Sequence, residues 1–209
     1  MLHNLFHWMQ WELGKAKGDD AAISWSQAVH ESLNFWGLLE GTHLITVGLF
    51  FGTIMMVDLR VLGLMFKQTP VSKISDKTLP LTVVAFATLV VTGLLLFFAK
   101  PEEYYHNLNF RLKMVFILLA MINIAVFHTR VQKNQAEWDL GPAPAAAKLS
   151  VAFSLLLWIA VICCGRFIAY NWVDCGKPMS GFLNWAQECS TSELGATTLQ
   201  GVNNKTGAQ

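Results

Sequence analysis

Four blocks of apolar sequence, each long enough to cross a bilayer as a helix and each nearly free of charge, constrain this chain more than any other feature. A hydrocarbon core needs about 20 mostly apolar residues in a helix, fewer where polar ends reach the interface. Residues 79–99 meet that requirement with no charged residue, and Pro80 is expected in the first helical turn, where proline is tolerated. Residues 41–57 form a second block, interrupted only by His43 and extended backward through Trp36, Gly37, Leu38 and Leu39. Residues 114–127 lie between Lys113 and His128, whose polar ends can snorkel, and residues 149–165 run into Arg166. Four such segments with short connections predict an all-α, integral membrane four-helix antiparallel bundle, with spans at about 36–58, 79–99, 111–130 and 149–170.

Composition supports the same class. Only 14% of the 209 residues are charged, against about a quarter in soluble domains, and the formal net charge is +1. No dense Lys/Arg cluster is present, so nucleic acid is not an expected partner, whereas membrane lipid is. Residues 1–10 lack a basic stretch followed by a continuous apolar run, so no cleavable signal peptide is expected. Residues 1–31 read as interfacial N-terminal helices. Leu2, Leu5, Phe6, Met9 and Leu13 recur at helical spacing, residues 14–20 read as a turn, and a second helix is expected from Ser24 or Ser26 through His30.

The transmembrane domain is expected over residues 32–170, followed by a tail, 171–209, polar from residue 190 onward. Two cysteines in that tail, Cys175 and Cys189, suggest a disulfide and an oxidising compartment. The loops after the first and third spans carry Arg60, Lys67, Lys73, Lys77, Arg130, Lys133 and Lys148. The opposite side carries Lys100, Arg111, Lys113 and Arg166. Both arguments put the termini outside the cytoplasm.

Titratable groups at membrane depth are costly, which makes each a functional candidate. With the spans alternating in direction, His43, His106, Lys113 and Arg166 gather at the expected outer end. That set suits a haem, with His43 as the axial imidazole and His106 or Lys113 as a second ligand. Arg166 would neutralise a propionate, Glu40 would orient the His43 ring from one turn away, and Trp36 and Trp172 would wall the site. His128 lies fifteen residues beyond Lys113, roughly 22 Å of helix rise, too far to share that haem. At the inner end, Asp58 with Arg60 or Arg130 reads as an ion pair, and Asn123 as an interhelical hydrogen bond. Gly48 and Gly52 read as a close-approach pair of the GxxxG kind.

The string His43-Leu44, Gly52 and Asp58-Leu59-Arg60-Val61-Leu62-Gly63 resembles the first-helix signature of an uncharacterised bacterial membrane family. Thr92-Gly93-Leu94-Leu95-Leu96-Phe97, Phe110-Arg111-Leu112-Lys113, Asn123, His128, Trp158 and Gly165-Arg166-Phe167-Ile168-Ala169-Tyr170 extend the likeness over roughly residues 32–170. That family implies an architecture and no activity. More distantly, the arrangement is similar to the copper-resistance D family and to the small membrane protoporphyrinogen oxidase, which binds haem b. In the latter, a histidine early in the first span, an arginine at its far end and a lysine opening the third correspond to His43, Arg60 and Lys113. The spacing differs, so the likeness implies haem binding by His43 with Lys113 and does not carry the oxidase activity over.

Three functions remain open on the sequence. One is a haem b electron-transfer subunit between a quinone pool and a redox protein or larger membrane complex. A second is a non-redox anchor or assembly subunit. A third is a copper transporter, which methionine or cysteine ladders would favour; Met55, Met56, Met65, Met114 and Met121 are scattered, and Cys163 and Cys164 point to different helix faces. No GxSxG, HExxH or nucleotide-binding glycine loop marks a hydrolase or nucleotide enzyme, and whether the chain is an enzyme stays open.

Overall fold

The computed structural model describes residues 2–15, 22–131 and 135–170, and these are helical with no strand. The expected Cys175–Cys189 disulfide, Trp172, Lys133, the polar tail and most of the expected turn at 14–20 lie outside the described residues. Four helices are long and apolar enough to cross a membrane: α3 (Leu33–Leu62), α4 (Val71–Ala99), α6 (Leu108–Val126) and α8 (Ala145–Tyr170). Shorter helices α1 (Leu2–Trp11), α2 (Trp25–Glu31), α5 (Pro101–His106) and α7 (Gln135–Trp138) decorate the two ends.

Local chemistry sets most boundaries. Ser24 starts α2 with a reciprocal capping box, its hydroxyl accepting from Gln27 N–H while the Gln27 side chain accepts from Ser24 N–H. Gly63 ends α3 in the left-handed region, at φ +78°, where only glycine pays no Cβ penalty; Leu64 N–H then closes back on Leu59 O at 3.0 Å. Pro101 opens α5, with Glu102 and Glu103 complementing the helix dipole. The buried Asn107 accepts from the N–H groups of Asn109 and Phe110 and starts α6.

One boundary and one pairing depart from expectation. Helix α4 begins at Val71, not near residue 79, so Pro80 sits inside the helix. The reason is a cap delivered from 67 residues away. Asp139 accepts from Ser72 N–H at 2.7 Å and from Ser72 Oγ at 2.6 Å, while its carbonyl accepts from Val71 N–H. A polar stretch that composition reads as loop is thereby held helical. The expected ion pair of Asp58 with Arg60 or Arg130 is absent among the described residues. Arg60 instead donates to the carbonyls of Thr69 and Asp139, tying both loops at this end, while Asp58 lies beside Ser154 with its buried Oδ2 without a hydrogen-bond partner among the described residues. Residues two apart on a helix point to different sides, so Asp58 and Arg60 serve different neighbours.

In the bundle, α3 packs on α4, α6 packs on α8, and contact between α3 and α8 joins the pairs. The mid-bundle core is Phe50, Ala85, Ala120, Leu157, Trp158 and Val161, with Phe50 edge-on to Trp158 at 4.8 Å. A second core at the end carrying the 63–70 loop and α7 (the loop end) gathers Val61, Val71, Trp138, Ala143, Ala147 and Val151. The outside is apolar: Ile45, Val84, Leu118 and Leu156 face outward, as lipid contact requires. Asn123 and Ser150 exchange two 3.0 Å hydrogen bonds between α6 and α8, the interhelical role expected of Asn123. Gly48 and Gly52 do not mediate close approach within the chain, since a Cβ at either would meet nothing within 4 Å. Helix α3 presents Thr46, Phe50 and Thr53 inward instead.

The opposite, terminal end is capped. Phe6 of α1 stands edge-on to Phe97 at 5.6 Å and lies 5.2 Å from Tyr105. Trp11 Nε1 donates to Glu102, and Ser26 Oγ donates to Ala99 O. Helix α1 thus spends part of its apolar face on the protein, leaving Leu5, Trp8 and Trp11 exposed for the interface.

Candidate functional site

Toward the terminal end, just beyond the Phe50–Trp158 core, the interior changes character. At one level α3 supplies His43, α4 supplies Thr92 and Gly93, α6 supplies Lys113, and α8 supplies Cys164 and Gly165. Each titratable side chain lies against a glycine of another helix. A Cβ on Gly93 would stand 3.4 Å from His43 Cε1, and one on Gly165 would stand 3.6 Å from Lys113 Nζ. Glycine inside a helix costs about 1 kcal/mol relative to alanine, and here the missing side chains make room for the imidazole and the ammonium. The layer therefore has two glycines set against two titratable groups.

The tautomer of His43 follows from its partner. Nδ1 lies 2.8 Å from Thr92 Oγ1, and that hydroxyl lies 2.7 Å from Thr88 O. A carbonyl can only accept, so with the hydroxyl donating to Thr88 O both contacts are hydrogen bonds only in the tautomer whose ring donates from Nδ1. Nε2 is left as the lone-pair atom of the ring, in the same layer as Lys113, whose charge acts on it. Lys113 comes from α6, which packs on α8 and not on α3, so the two groups approach from helices on opposite sides of the layer. Among the described residues no carboxylate lies within ion-pair distance of Lys113, and its charge also reaches Cys164. Cys164 is buried and Cys163 exposed, as adjacent helical positions require.

Of the expected set, His43 and Lys113 come together; the others are engaged elsewhere. Arg166 is exposed and folds onto Tyr170 one turn along α8, donating to its hydroxyl with the guanidinium 4.5 Å from the ring centre. His106 ends α5, its ring edge-on to Tyr105 at 5.1 Å. Glu40 is exposed, and Thr92, not Glu40, holds the His43 ring. The charge of Glu40 acts instead on Tyr104, whose hydroxyl is pushed up to about 12 by burial, then by Glu40 and Glu103. Trp36 packs edge-on to His30 at 5.0 Å. The His30 Nδ1 is buried without a hydrogen-bond partner among the described residues.

Residues 35–171 match a family of unknown function, DUF6644. The chain belongs to it. No curated protein and no solved structure matches the chain. Every residue of the polar layer lies within the DUF6644 region, whereas α1 and α2 precede it. Thr92, Gly93 and Gly165 were missed as site residues from sequence, although a Thr-Gly pair and a lone glycine inside apolar helices were visible signals.

An axial haem site asks little of the donor set: one imidazole nitrogen with a free lone pair and a fixed ring. His43 meets both conditions. A copper site asks for several soft ligands, and among the described residues no three His, Cys, Asp or Glu side chains come together.

Proposed function

We propose that this membrane protein is a haem b-holding subunit in which His43 Nε2 would hold the group. In this reading it passes electrons between a quinone pool and a redox partner or larger complex at its terminal end. The observation that carries the reading is the Thr88–Thr92–His43 chain, which presents Nε2 as a lone pair inside an otherwise apolar bundle. Bound there, haem would supply one-electron chemistry. Thr92 holds the imidazole in its donor tautomer, Gly93 lets the ring lie against the α4 backbone, and Lys113 brings a second nitrogen to the layer, which would serve as a ligand only as the neutral amine. The surrounding apolar helices exclude water, which favours a haem over a hydrated ion. The basic residues at the loop end support the reading that this end faces the cytoplasm of a bacterial inner membrane, with the termini in the periplasm.

The test is an absorption spectrum of protein purified after haem-replete expression. A Soret band with a reducible α band is expected, lost in His43→Ala and shifted in Lys113→Ala. A colourless, monodisperse wild type would refute the haem reading, and a colourless protein that copurifies with a larger complex would establish the anchor reading instead.

A further inference from the structure

A groove of about 940 Å³ lies at the loop end, between the last turns of α6, helix α7 and the first turns of α8. Its sides are Val126, Leu149 and Phe153, and Trp138 closes it from the buried side. Leu149 and Phe153 are exposed on the bundle surface, so the groove opens sideways to the acyl region of the bilayer. Its floor is the Asn123–Ser150 pair, whose hydrogen bonds satisfy each other and leave it no polar demand.

The rim is different. Arg130 and Glu137 line the same groove, both exposed, and neither forms an ion pair among the described residues. Arg130 is the last residue of the third span, and Ala145 begins the fourth helix across from it, which puts the rim at headgroup level. The α6 chain here passes into a π-helical turn, Phe127–Val131, a wide turn found mostly where helices serve a function. A cation and an anion that form no ion pair among the described residues therefore face a common space above apolar walls.

We propose that this groove binds an amine-bearing phospholipid, phosphatidylethanolamine, from the adjoining leaflet. The Arg130 guanidinium takes the phosphate as a planar fork, the Glu137 carboxylate accepts from the primary ammonium, and Val126, Leu149 and Phe153 cover the acyl chains. A phosphatidylglycerol headgroup would bring no cation to Glu137. A phosphatidylcholine headgroup carries a quaternary nitrogen with no N–H to donate. Charge complementarity thus selects the ethanolamine headgroup over both. The site stands apart from the His43 layer and does not depend on haem.

Native mass spectrometry of the full chain, released from bilayers containing equal amounts of phosphatidylethanolamine, phosphatidylglycerol and phosphatidylcholine, tests the proposal. The wild type is expected to retain phosphatidylethanolamine preferentially, by about tenfold, the worth of one charge-assisted hydrogen bond. Arg130→Gln should lose retention of all three lipids, and Glu137→Gln should retain the ethanolamine and choline lipids equally. Both side chains are exposed, so the variants should melt with the wild type, which a thermal scan checks. Equal retention of the three lipids by the wild type, or a preference that survives Glu137→Gln, overturns it.

Discussion

Replacing Thr92 with valine would remove one oxygen and almost nothing else. Valine keeps the shape, so the buried α3–α4 contact survives, but Nδ1–H of His43 loses its acceptor and Thr88 O loses its side-chain donor. A neutral hydrogen bond contributes about 1 kcal/mol net, and an orphaned buried donor costs about 1–3 kcal/mol. Without the acceptor, the ring no longer prefers the tautomer that leaves Nε2 unprotonated. Partners that orient a ligand histidine typically contribute about 10–100-fold in affinity, which is about 1.4–2.7 kcal/mol, and the two estimates agree. Haem titration of reconstituted protein, followed by the Soret band, should show that weakening in Thr92→Val. Thr92→Ser, which restores the hydroxyl, should recover most of it. Affinity in Thr92→Val equal to the wild type would show that the hydroxyl does not set the ring and would remove the main support for His43 as the ligand.

Gly63→Ala should lower the stability of the α3 end by about 1–2 kcal/mol through backbone strain alone, because φ is +78° and no neighbour would meet the new Cβ; thermal unfolding in detergent measures it. A double-mutant cycle with Asn123→Leu and Ser150→Ala should return a coupling of about 0.6–1.7 kcal/mol between α6 and α8 in a reversible unfolding assay. Burial, followed by the charge of Lys100, pushes the His30 imidazole below its ordinary value of 6.5, with Glu103 and Glu31 opposing weakly. The undocked state then takes up the proton more readily, so docking of α2 is fully stable above pH 6.5 and weakens as the pH falls below it. Hydrogen exchange of α2 between pH 7.5 and 5 should show that loosening, and His30→Phe, which keeps an aromatic ring beside Trp36, should abolish its pH dependence.

How far the sequence could be read depends on the range of the interaction involved. His43 and Lys113 stand out in sequence because an ionisable group inside an apolar run is costly wherever the helix packs. Their glycine counterparts do not, since Gly93 and Gly165 acquire meaning only when another helix lays a side chain on them. Arg166 was grouped with His43 on depth alone. Depth does not say which way a long side chain turns, and a tyrosine one turn along the same helix captures it. The GxxxG spacing of Gly48 and Gly52 promised a contact that helix rotation turned outward. Asp139 illustrates the reverse case: an ordinary loop residue in sequence lengthens α4 by capping it from across the bundle.

The amino-acid order alone was enough to determine the class of molecule, the four spans, the start of α2 to within Ser24 or Ser26 and the bonding role of Asn123, because bilayer burial and local hydrogen bonding act on a single segment. It did not determine the layer that assembles a histidine, a lysine, a threonine and two glycines from four helices. Only the packing of α3 on α4 and of α6 on α8, with its particular rotations, decided which of the costly groups meet and which are satisfied apart. Helix rotation about its own axis is set by side-chain interdigitation with neighbours, and no single segment carries that information.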